Sequence, residues 1–403
     1  MAEPKVRFKK DDGSSYPDIQ QVPFGDVVKP FTEKTKTENE DVLLSCAING
    51  VFLNTELFGH QRGASNKGYK KIRRNTLILS AQNLHLGNAN VNQRFDHGII
   101  SPAYNTYDIV GCNPDYMAQW VKRDATKKFF YDATTTGASQ CRRNVDWNAL
   151  YEQIFYVPCE EEQQKIADFL SSVDDVIVAS EQEVANLETQ KKAVMKKIFS
   201  QEVRFKRADG SDFPEWEKQT LGNLAEFSKG QGYTKSDLSE TGSPIILYGR
   251  LYTKYQTVIS KVDTFAEMKP RSVLSKKGDV IVPASGETAE DISVAAVVDV
   301  DGIILGGDLN IIHPCNAILP DYLAYALTFG TPHQEMAKRA QGKSIVHLHN
   351  DDLKSAVIVY PCLEEQHLIA DFLSDFDEAI LAAKKELELW KELKKGLLQQ
   401  MFV

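Results

Sequence analysis

Two long stretches of the chain carry apolar residues at alternating steps of three and four positions. This spacing places them in one stripe along an α-helix and is typical of helices that pack on another helix. At 1.5 Å per residue, a helix over residues 160–200 is about 60 Å long. The seam positions are Leu170, Val173, Ile177, Val184, Leu187, Val194 and Ile198 in the first stretch, and Leu373, Phe376, Ile380, Leu387, Trp390, Leu397 and Met401 in the second.

Both stripes are interrupted at the same places. A small residue stands at Ser180 and Ala383, and a lysine stands at Lys191 and Lys394. Polar interruptions of a helical seam fix its register at some cost in stability. We therefore expect the two helices to pack on each other. The alternative is two separate helical linkers that bind outside partners.

The helical stretches belong to a unit that occurs twice. Residues 6–17 match residues 203–214 at eight of twelve positions, and residues 158–177 match residues 361–380 at thirteen of twenty. A repeat of this length predicts two copies of one structural unit. Weaker matches pair strand-like runs at 75–79 with 278–282 and at 98–100 with 302–304, and proline-started helices at 114–118 with 320–324.

The repeat predicts the domain organisation. Because Val-Arg-Phe-Lys follows the first helix and also occurs at residues 6–9, we expect the chain termini to be adjacent where the second helix ends. The expected fold class is α+β (mixed α/β), with two globular domains separated by two long antiparallel coiled-coil helices in a pseudo-two-fold arrangement. The predicted segments are a first domain at 1–157, a helix at 158–202, a second domain at 203–360 and a helix at 361–403.

The net charge of −9 at first sight opposes nucleic-acid binding, but the charge is unevenly distributed. Residues 55–157 hold 13 Lys and Arg against 8 Asp and Glu, which gives +5. Residues 158–202 and 361–403 carry −5 and −4, and residues 218–360 carry −2. The acidic excess lies on the predicted helices and leaves room for a basic face elsewhere.

Cysteine usage and hydropathy indicate a cytoplasmic protein. The six cysteines include no CxxC pair, so we expect buried thiols rather than zinc ligands or disulfides. No apolar run is long enough to span a membrane, and the first residues lack the apolar core of a signal peptide.

This layout resembles the specificity subunit of Type I restriction-modification enzymes. The motif EEQ-x-x-IA-x-FL at 161–170 and its copy at 364–373 carry the resemblance, with support from the runs 98–104, 278–282 and 342–361. The second copy departs from the first where Ser101-Pro102-Ala103-Tyr104 is replaced by Leu305-Gly306-Gly307-Asp308. We therefore expect two recognition domains of different subtypes.

The resemblance implies a non-catalytic subunit in which each domain reads one half of an asymmetric split DNA site. The helices are then expected to set the half-site spacing and to dock two methyltransferase subunits. Implied partners are double-stranded DNA, these methyltransferase subunits and, in complexes that also restrict, restriction and translocase subunits. S-adenosylmethionine, ATP and magnesium are implied on the partner subunits, with no cofactor on this chain.

DNA-contacting side chains are expected in basic loops that also carry aromatic or amide residues. Lysine and arginine position phosphates, arginine reads guanine and amides read adenine. For each residue the alternative is an ordinary solvated surface. The candidates are Arg62, Lys67, Tyr69, Lys70, Lys71, Arg73, Arg74, Gln82, Asn83, Arg142 and Arg143 in the first domain, and Lys229, Gln231, Tyr233, Lys235, Arg250, Tyr252, Lys254, Lys338, Arg339, Lys343 and His347 in the second.

Other chemistry is weakly indicated. A phosphate-loop-like run at 337–344 follows a helix-like stretch rather than a strand, and Asn-Pro-Asp-Tyr at 113–116 has no cofactor loop beside it. His347 and His349 lack a third metal ligand, and no Ser/His/Asp or Cys/His set stands out, so we predict neither catalytic nor metal-binding residues. A stand-alone DNA-modifying enzyme and a coiled-coil adaptor that binds proteins are the alternative functions.

Overall fold

A computed structural model describes residues 3–61, 65–139, 142–253, 255–286, 288, 291–330, 332–333, 336 and 346–403, and all of their side chains except those of 137–139, 142, 252 and 291. These residues form the predicted mixed α+β fold. They divide into two compact units. Unit 1 comprises Met1–Glu181 with Glu386–Val403, and unit 2 comprises Gln182–Lys385.

Unit 1 is built from short strands and short helices. Its strands are β1 (Gln20–Pro23), β2 (Val28–Phe31), β3 (Leu44–Ala47), β4 (Gly50–Leu53), β5 (Lys70–Arg73), β6 (Leu77–Ser80), β7 (Ala89–Val91), β8 (His97–Ile100), β9 (Tyr104–Ile109), β10 (Thr134–Ser139), β11 (Arg142–Val145) and β12 (Ile154–Val157). Its helices are α1 (Phe24–Val27), α2 (Asn54–Phe58), α3 (Pro114–Trp120), α4 (Asp124–Asp132) and α5 (Trp147–Glu152).

The main sheet of unit 1 is antiparallel, with strand order β2-β9-β6-β7. All four residues of β6 are buried, because the strand is central in the sheet and both of its faces are covered. Strands β1 and β12, β3 and β4, β5 and β8, and β10 and β11 form separate antiparallel pairs. An aromatic cluster of Phe24, Trp120, Phe130 and Phe155 fills the core beside the sheet.

Unit 2 carries the second set of elements. Its strands are β13 (Glu217–Thr220), β14 (Ala225–Lys229), β15 (Leu238–Ser239), β16 (Ser243–Ile246), β17 (Val258–Ile259), β18 (Phe265–Ala266), β19 (Asp279–Pro283), β20 (Ser285–Gly286), β21 (Ala296–Val298), β22 (Ile304–Leu305), β23 (Leu309–Pro314), β24 (Val346–His347) and β25 (Val357–Tyr360). Its short helices are α7 (Gly249–Thr253), α8 (Pro320–Phe329) and α9 (Asn350–Ser355).

Two sheets organise unit 2. The first has the order β14-β23-β19-β21-β17, and the second has the order β15-β18-β16-β22. Strands β13 and β25 and strands β20 and β24 form further antiparallel pairs. The central strand β19 is buried along its whole length, as β6 is in unit 1.

The weak sequence matches correspond to equivalent elements. The predicted strands at 75–79 and 278–282 are β6 and β19, and α3 and α8 each begin at the predicted proline. Proline is favoured there because the first turn of a helix has no use for its missing N–H. These parts of the sequence prediction are confirmed.

Two long helices complete the fold: α6 (Glu160–Phe199) and α10 (Leu363–Gln400). Each unit contains part of both helices, and within each unit the two parts run antiparallel, because partner numbers fall in one helix as they rise in the other. This arrangement confirms the predicted pairing and excludes two separate linkers within each unit. The ion pairs are Asp174–Lys394 and Glu181–Lys391 in unit 1, and Glu188–Lys384 and Lys191–Asp377 in unit 2.

The apolar seam is largely removed from solvent. Leu170, Val173, Val184, Ile198, Leu373, Ile380, Leu387 and Met401 are buried, and Ile177, Leu187, Val194, Phe376, Trp390 and Leu397 are half-buried. Lys191 is also buried, whereas Ser180 and Ala383 are half-buried. The interruptions of the seam therefore lie on the packed side of the helices.

A buried glutamate marks the first turn of each long helix. In unit 1, Glu162 accepts two hydrogen bonds from Arg7, at 2.8 and 2.9 Å. In unit 2, Glu365 accepts two from Arg204, at 3.2 and 2.8 Å. The glutamate side chains are 1% and 0% exposed, so each carboxylate depends on its arginine for compensation.

The amino-terminal segment lies against the end of α10. Val6 N donates to Gln400 O at 3.0 Å, and Arg123 Nη1 donates to Val403 O at 2.8 Å. The repeated segment in unit 2 makes the equivalent contact, because Val203 N donates to Lys197 O at 3.2 Å near the end of α6. The expected adjacency of the termini is confirmed.

The seam lysines join the helix pairs to the domains. Asp377 accepts from Lys191 Nζ at 2.5 Å and from Tyr325 Oη, on α8, at 2.7 Å. In unit 1, Asp174 pairs with Lys394 and accepts from Gln119 Nε2, on α3, at 3.1 Å. Burial opposes the charge on Asp174, but Lys122 and Lys394 outweigh it and hold the pKa of this carboxyl below its ordinary value.

We expect Asp377→Ala to destabilise the chain by about 3 kcal/mol, because it leaves Lys191 charged and buried without a partner. The side chains of Lys191 and Asp377 are only 9% and 15% exposed. The free energy of unfolding from urea titration measures the effect.

The matched control is Glu188→Ala. This variant removes a pair whose side chains are about half exposed, Lys384 and Glu188. We expect it to cost less than about 1 kcal/mol. An equal decrease in the free energy of unfolding in both variants would show that the buried pair stabilises the chain no more than the exposed pair does.

Candidate nucleic-acid interface

Most of the basic stretch before β6 is neutralised inside the first domain. Lys71 contacts Glu33 at 3.2 Å and Glu40 at 2.6 Å. The hydrogen bond from Lys71, with backbone hydrogen bonds from residues 36 and 37, lowers the pKa of Glu40 to about 2. Lys70 is buried, and its Nζ donates to Tyr104 O at 2.5 Å. These two lysines therefore hold loops together.

The arginines of the same stretch are also engaged. Arg73 binds both carboxylate oxygens of Asp108, at 2.6 and 2.8 Å, and stacks over Phe31. Arg74 contacts Asp96 at 3.0 Å. Both arginines are more than half exposed, so they face solvent with their charge partly compensated.

Four other candidates in the first domain remain available. Lys67, Gln82 and Asn83 are exposed and Tyr69 is half-buried. Within the described ranges these four side chains make no hydrogen bond or ion pair. Gln82 and Asn83 lie in the turn that follows β6, where amide groups can reach a ligand.

Arg143 lies on β11 and is committed to its own domain. Its Nε donates to Thr134 Oγ1 at 2.6 Å, its Nη2 donates to Thr134 O at 2.9 Å, and its guanidinium lies 4.0 Å from the ring centre of Tyr131. Arg62 and the side chain of Arg142 lie outside the described residues.

The second domain contains a groove of about 1100 Å³. It gathers three of the predicted residues: Tyr233 and Lys235 from the segment that follows β14, and Arg250 from α7. Three segments form its walls: 232–238, 247–253 and 307–308. Lys235 is exposed and makes no side-chain contact within the described ranges, whereas Arg250 makes a long 3.5 Å contact with Asp263.

Tyr233 packs into the wall of this groove and does not expose its side chain to a ligand, contrary to the expectation from the sequence. It is 5% exposed, and its Oη accepts from Lys269 N at 2.7 Å and lies 2.5 Å from Ser272 Oγ. Lys269 covers the Tyr233 ring and pairs with Asp237 at 2.5 Å. This hydrogen bond, with a second from Thr234 N, lowers the pKa of Asp237 to about 2.

Close backbone contacts join the segments that lead into the groove walls. Gly230 N donates to Leu309 O at 2.9 Å, and Gly306 N donates to Ile246 O at 3.0 Å. A Cβ on Gly230 would lie 1.9 Å from Gly306 O, and one on Gly306 would lie 2.5 Å from Leu247 Cδ2. Only glycine fits at position 230, because the obstructing atom there is a backbone oxygen, whereas at position 306 the Leu247 side chain would have to move.

The remaining candidates of the second domain lie away from this groove or outside the described residues. Lys229, Gln231 and His347 are exposed. His347 is on β24, and its ring stacks on that of His349 with 6.3 Å between ring centres. Lys254, Lys338, Arg339, Lys343 and the side chain of Tyr252 are not among the described residues, and the whole phosphate-loop-like run at 337–344 also lies outside them.

Tyr248 and Asp308 are among the groove residues that the sequence analysis did not select. Tyr248 falls in an apolar run and reads as a core residue. Asp308 is an acid, and acids are not expected on a DNA-binding surface. The signal for Asp308 was the departure of residues 305–308 from residues 101–104, because that difference lies on a loop of the groove.

One hydrogen-bonded chain resembles a Ser/His/Asp set that the sequence did not reveal. His313 Nε2 lies 2.8 Å from Ser228 Oγ, and His313 Nδ1 lies 2.7 Å from Asp279 Oδ1. The three residues are on the neighbouring strands β14, β23 and β19, and Asp279 also accepts from Lys276 N at 2.8 Å. These hydrogen bonds therefore join three strands of one sheet. None of its residues lines the groove.

The other motif-based alternatives have structural explanations. Asn113 caps α3, because its side chain accepts from Asp115 N and Tyr116 N. Across the described part of the chain, no three His, Cys, Asp or Glu side chains are grouped as metal ligands would be. No helix in that part is both long and apolar enough to cross a membrane.

Comparison with known protein families gives a match in the second half of the chain. Residues 214–389 match the family model of the Type I restriction modification DNA specificity domain. The MjaVIII specificity subunit of a Type I restriction enzyme from Methanocaldococcus jannaschii is 26% identical over 256 residues, which are 60% of this chain and 59% of that protein. The MjaIX specificity subunit is 32% identical over 97 residues, or 24% of this chain and 22% of that protein. The chain thus spans less than two thirds of each relative.

Solved structures show the same fold over nearly the whole chain. A chain from a study of complex assembly and conformational transition of the type I R-M system has a TM-score of 0.59 at 18% identity and covers 96% of this chain and 98% of its own length. The S subunit of a Type I restriction-modification system from M. genitalium has a TM-score of 0.58 at 13% identity, with coverage of 100% and 99%. At these identities the likeness establishes the fold.

We expect Gly230→Ala to lower the free energy of unfolding by at least about 2 kcal/mol, because the added Cβ forces the two groove loops apart. Urea titration of the full chain measures the loss. Gly396→Ala is the control, since a Cβ at that position of α10 meets open space. The control should be neutral or stabilising by up to about 1 kcal/mol. A Gly230→Ala chain as stable as the original would contradict the close packing of Gly230 against Gly306.

Proposed function

We propose that the chain is a specificity subunit of a Type I restriction-modification enzyme and that its two recognition domains read the two halves of a split DNA site. The observation that carries this proposal is a repeated framework with different loops. Both units use the Arg–Glu pair and the Asp–Lys pair, yet their surfaces differ. Two different reading surfaces require an asymmetric site.

The helix pair is proposed to set the half-site spacing and to dock two methyltransferase subunits. Support comes from the attachment of each domain to both helices through Asp174 or Asp377. A recognition domain fastened in this way keeps its orientation on the helices. Spacing between half-sites is then a matter of helix length, since one DNA turn is about 34 Å.

The chain itself is proposed to be non-catalytic. S-adenosylmethionine, ATP and magnesium are assigned to partner subunits, and restriction and translocase subunits join where the complex also cleaves. The Ser228–His313–Asp279 chain joins strands and does not open into the groove, which supports this assignment. A purified chain that methylates or cleaves DNA alone would favour the alternative of a stand-alone enzyme.

We expect the full chain, alone or with its methyltransferase subunits, to shift duplex DNA in an electrophoretic mobility assay. Lys235→Ala should weaken binding several-fold and reduce the slope of log affinity against log salt by about 1, because it removes one cation from the groove. Binding measured between 50 and 200 mM salt tests both effects.

Lys218→Ala is the matched control. Lys218 is exposed on β13, in the same unit, and does not line the groove. Its affinity and salt slope should match those of the original chain. If DNA is bound neither by the chain nor by its complex, the protein-binding adaptor replaces this proposal.

We expect a heptad added to both helices to lengthen the spacer between half-sites by about three base pairs, since seven helical residues add about 10.5 Å. The insertions belong after Glu181 in α6 and after Lys385 in α10, where the two units meet in sequence. Methylated motifs mapped by single-molecule sequencing give the spacer. Altered half-site sequences with an unchanged spacer would reject the role of the helices in spacing.

A further inference from the structure

We propose that Asp308 reads the N4 amino group of a cytosine in the half-site bound by the second domain. This inference rests on the proposed function, that the chain recognises DNA. It assigns a specificity-determining role to an acid on a surface that otherwise carries cations, and it explains why the second domain departs from the first at residues 305–308.

The backbone places the Asp308 side chain on the groove wall. Asp308 has a φ of 59°, in the left-handed region that aspartate tolerates better than most residues. Its carbonyl oxygen accepts from Ala284 N at 2.7 Å, and Gly306, two residues earlier, is held by Ile246. The carboxylate therefore projects from a loop that is anchored on both sides.

The carboxylate has no partner within the described ranges. Asp308 is exposed and lines the same groove as Lys235 and Arg250, but its side chain makes neither a hydrogen bond nor an ion pair there. Two other acids of the same domain, Asp237 and Asp263, are each paired with a cation. Asp308 is thus available to a ligand.

Duplex DNA offers few favourable partners to such a group. Phosphates repel a carboxylate, so its partner must be a donor on a base edge. In the major groove the amino donors are cytosine N4 and adenine N6, but adenine also presents the acceptor N7 beside its amino group. A carboxylate only accepts hydrogen bonds, so it favours cytosine. The paired guanine presents O6 and N7, which suit the cations Lys235 and Arg250.

The first domain lacks this arrangement. Tyr104 occupies the position that aligns with Asp308, and its hydroxyl donates to Cys46 O at 2.9 Å. Its polar atom is therefore directed into its own domain. The replacement of Ser-Pro-Ala-Tyr by Leu-Gly-Gly-Asp changes a structural contact into an unpaired acceptor on a groove. The proposed preference for cytosine belongs to the second domain alone.

The test uses the full chain together with its methyltransferase subunits, expressed in a host free of DNA methylation. Single-molecule sequencing gives the methylated motif. Residues 20–157 are also exchanged for another recognition domain. The half of the methylated motif that this exchange leaves unchanged is the half-site read by the second domain. Asp308→Asn and Asp308→Gly are then compared, because both residues adopt a left-handed backbone readily.

We expect both variants to lose about tenfold of the preference for cytosine at one position of that half-site, the size typical of a lost base contact. The other positions and the other half-site should keep their preferences. Glu226→Gln is the control, because it removes an exposed acid of the same unit that does not line the groove. It should leave the motif unchanged.

Two results overturn the inference while the proposed function stands. One is an unaltered motif with unaltered selectivity in both Asp308 variants. The other is an equal loss of methylation at every sequence, which would make Asp308 a structural residue. Failure of the original complex to bind or methylate any DNA is a different outcome, since it removes the proposed function and the inference together.

Discussion

The buried ion pair at the first turn of each long helix is the interaction on which each unit depends. Glu162 and Glu365 have almost no contact with solvent, and a charge in that position is tolerated only with a close, well-oriented partner. Arg7 and Arg204 supply it bidentately. The neighbouring glutamine of the same motif accepts from the backbone just before α3 or α8. One helical turn thus joins the helix, the segment beside it and a domain helix.

A second junction lies further along each helix. Asp174 and Asp377 each accept from a lysine of the opposite helix and from a side chain of a domain helix. Breaking such a buried pair costs free energy. The same contacts therefore determine both the register of the two helices and the position of the domain on them. The proposed role in spacing two half-sites requires this property, since a domain that turned freely on its helix would not hold a fixed position on the DNA.

The proposed DNA-reading surfaces of the two domains differ in how their charged side chains are paired. In the first domain, Lys71 and Arg73 are compensated by nearby acids, so their number overstates the charge offered to DNA. In the second domain, Lys235 and Asp308 stay unpaired on one groove. Unpaired groups of both signs fit a surface that reads base edges, where donors and acceptors alternate, better than a uniform phosphate-binding face. Net charge alone would have missed this difference.

The duplication, the long helices, their pairing and the proline-started helices could all be predicted from the amino-acid sequence, because each depends on a local pattern that repeats along the chain. The departure at residues 305–308 was visible there as well. Which cations are free could be read only from the folded chain, since ion pairs such as Arg73–Asp108 join residues far apart in sequence. The same holds for Tyr233, whose hydroxyl is occupied inside the domain, and for the His313 chain across three strands. Whether a side chain is paired or exposed depends on neighbours from other strands and loops, and a linear pattern does not record them.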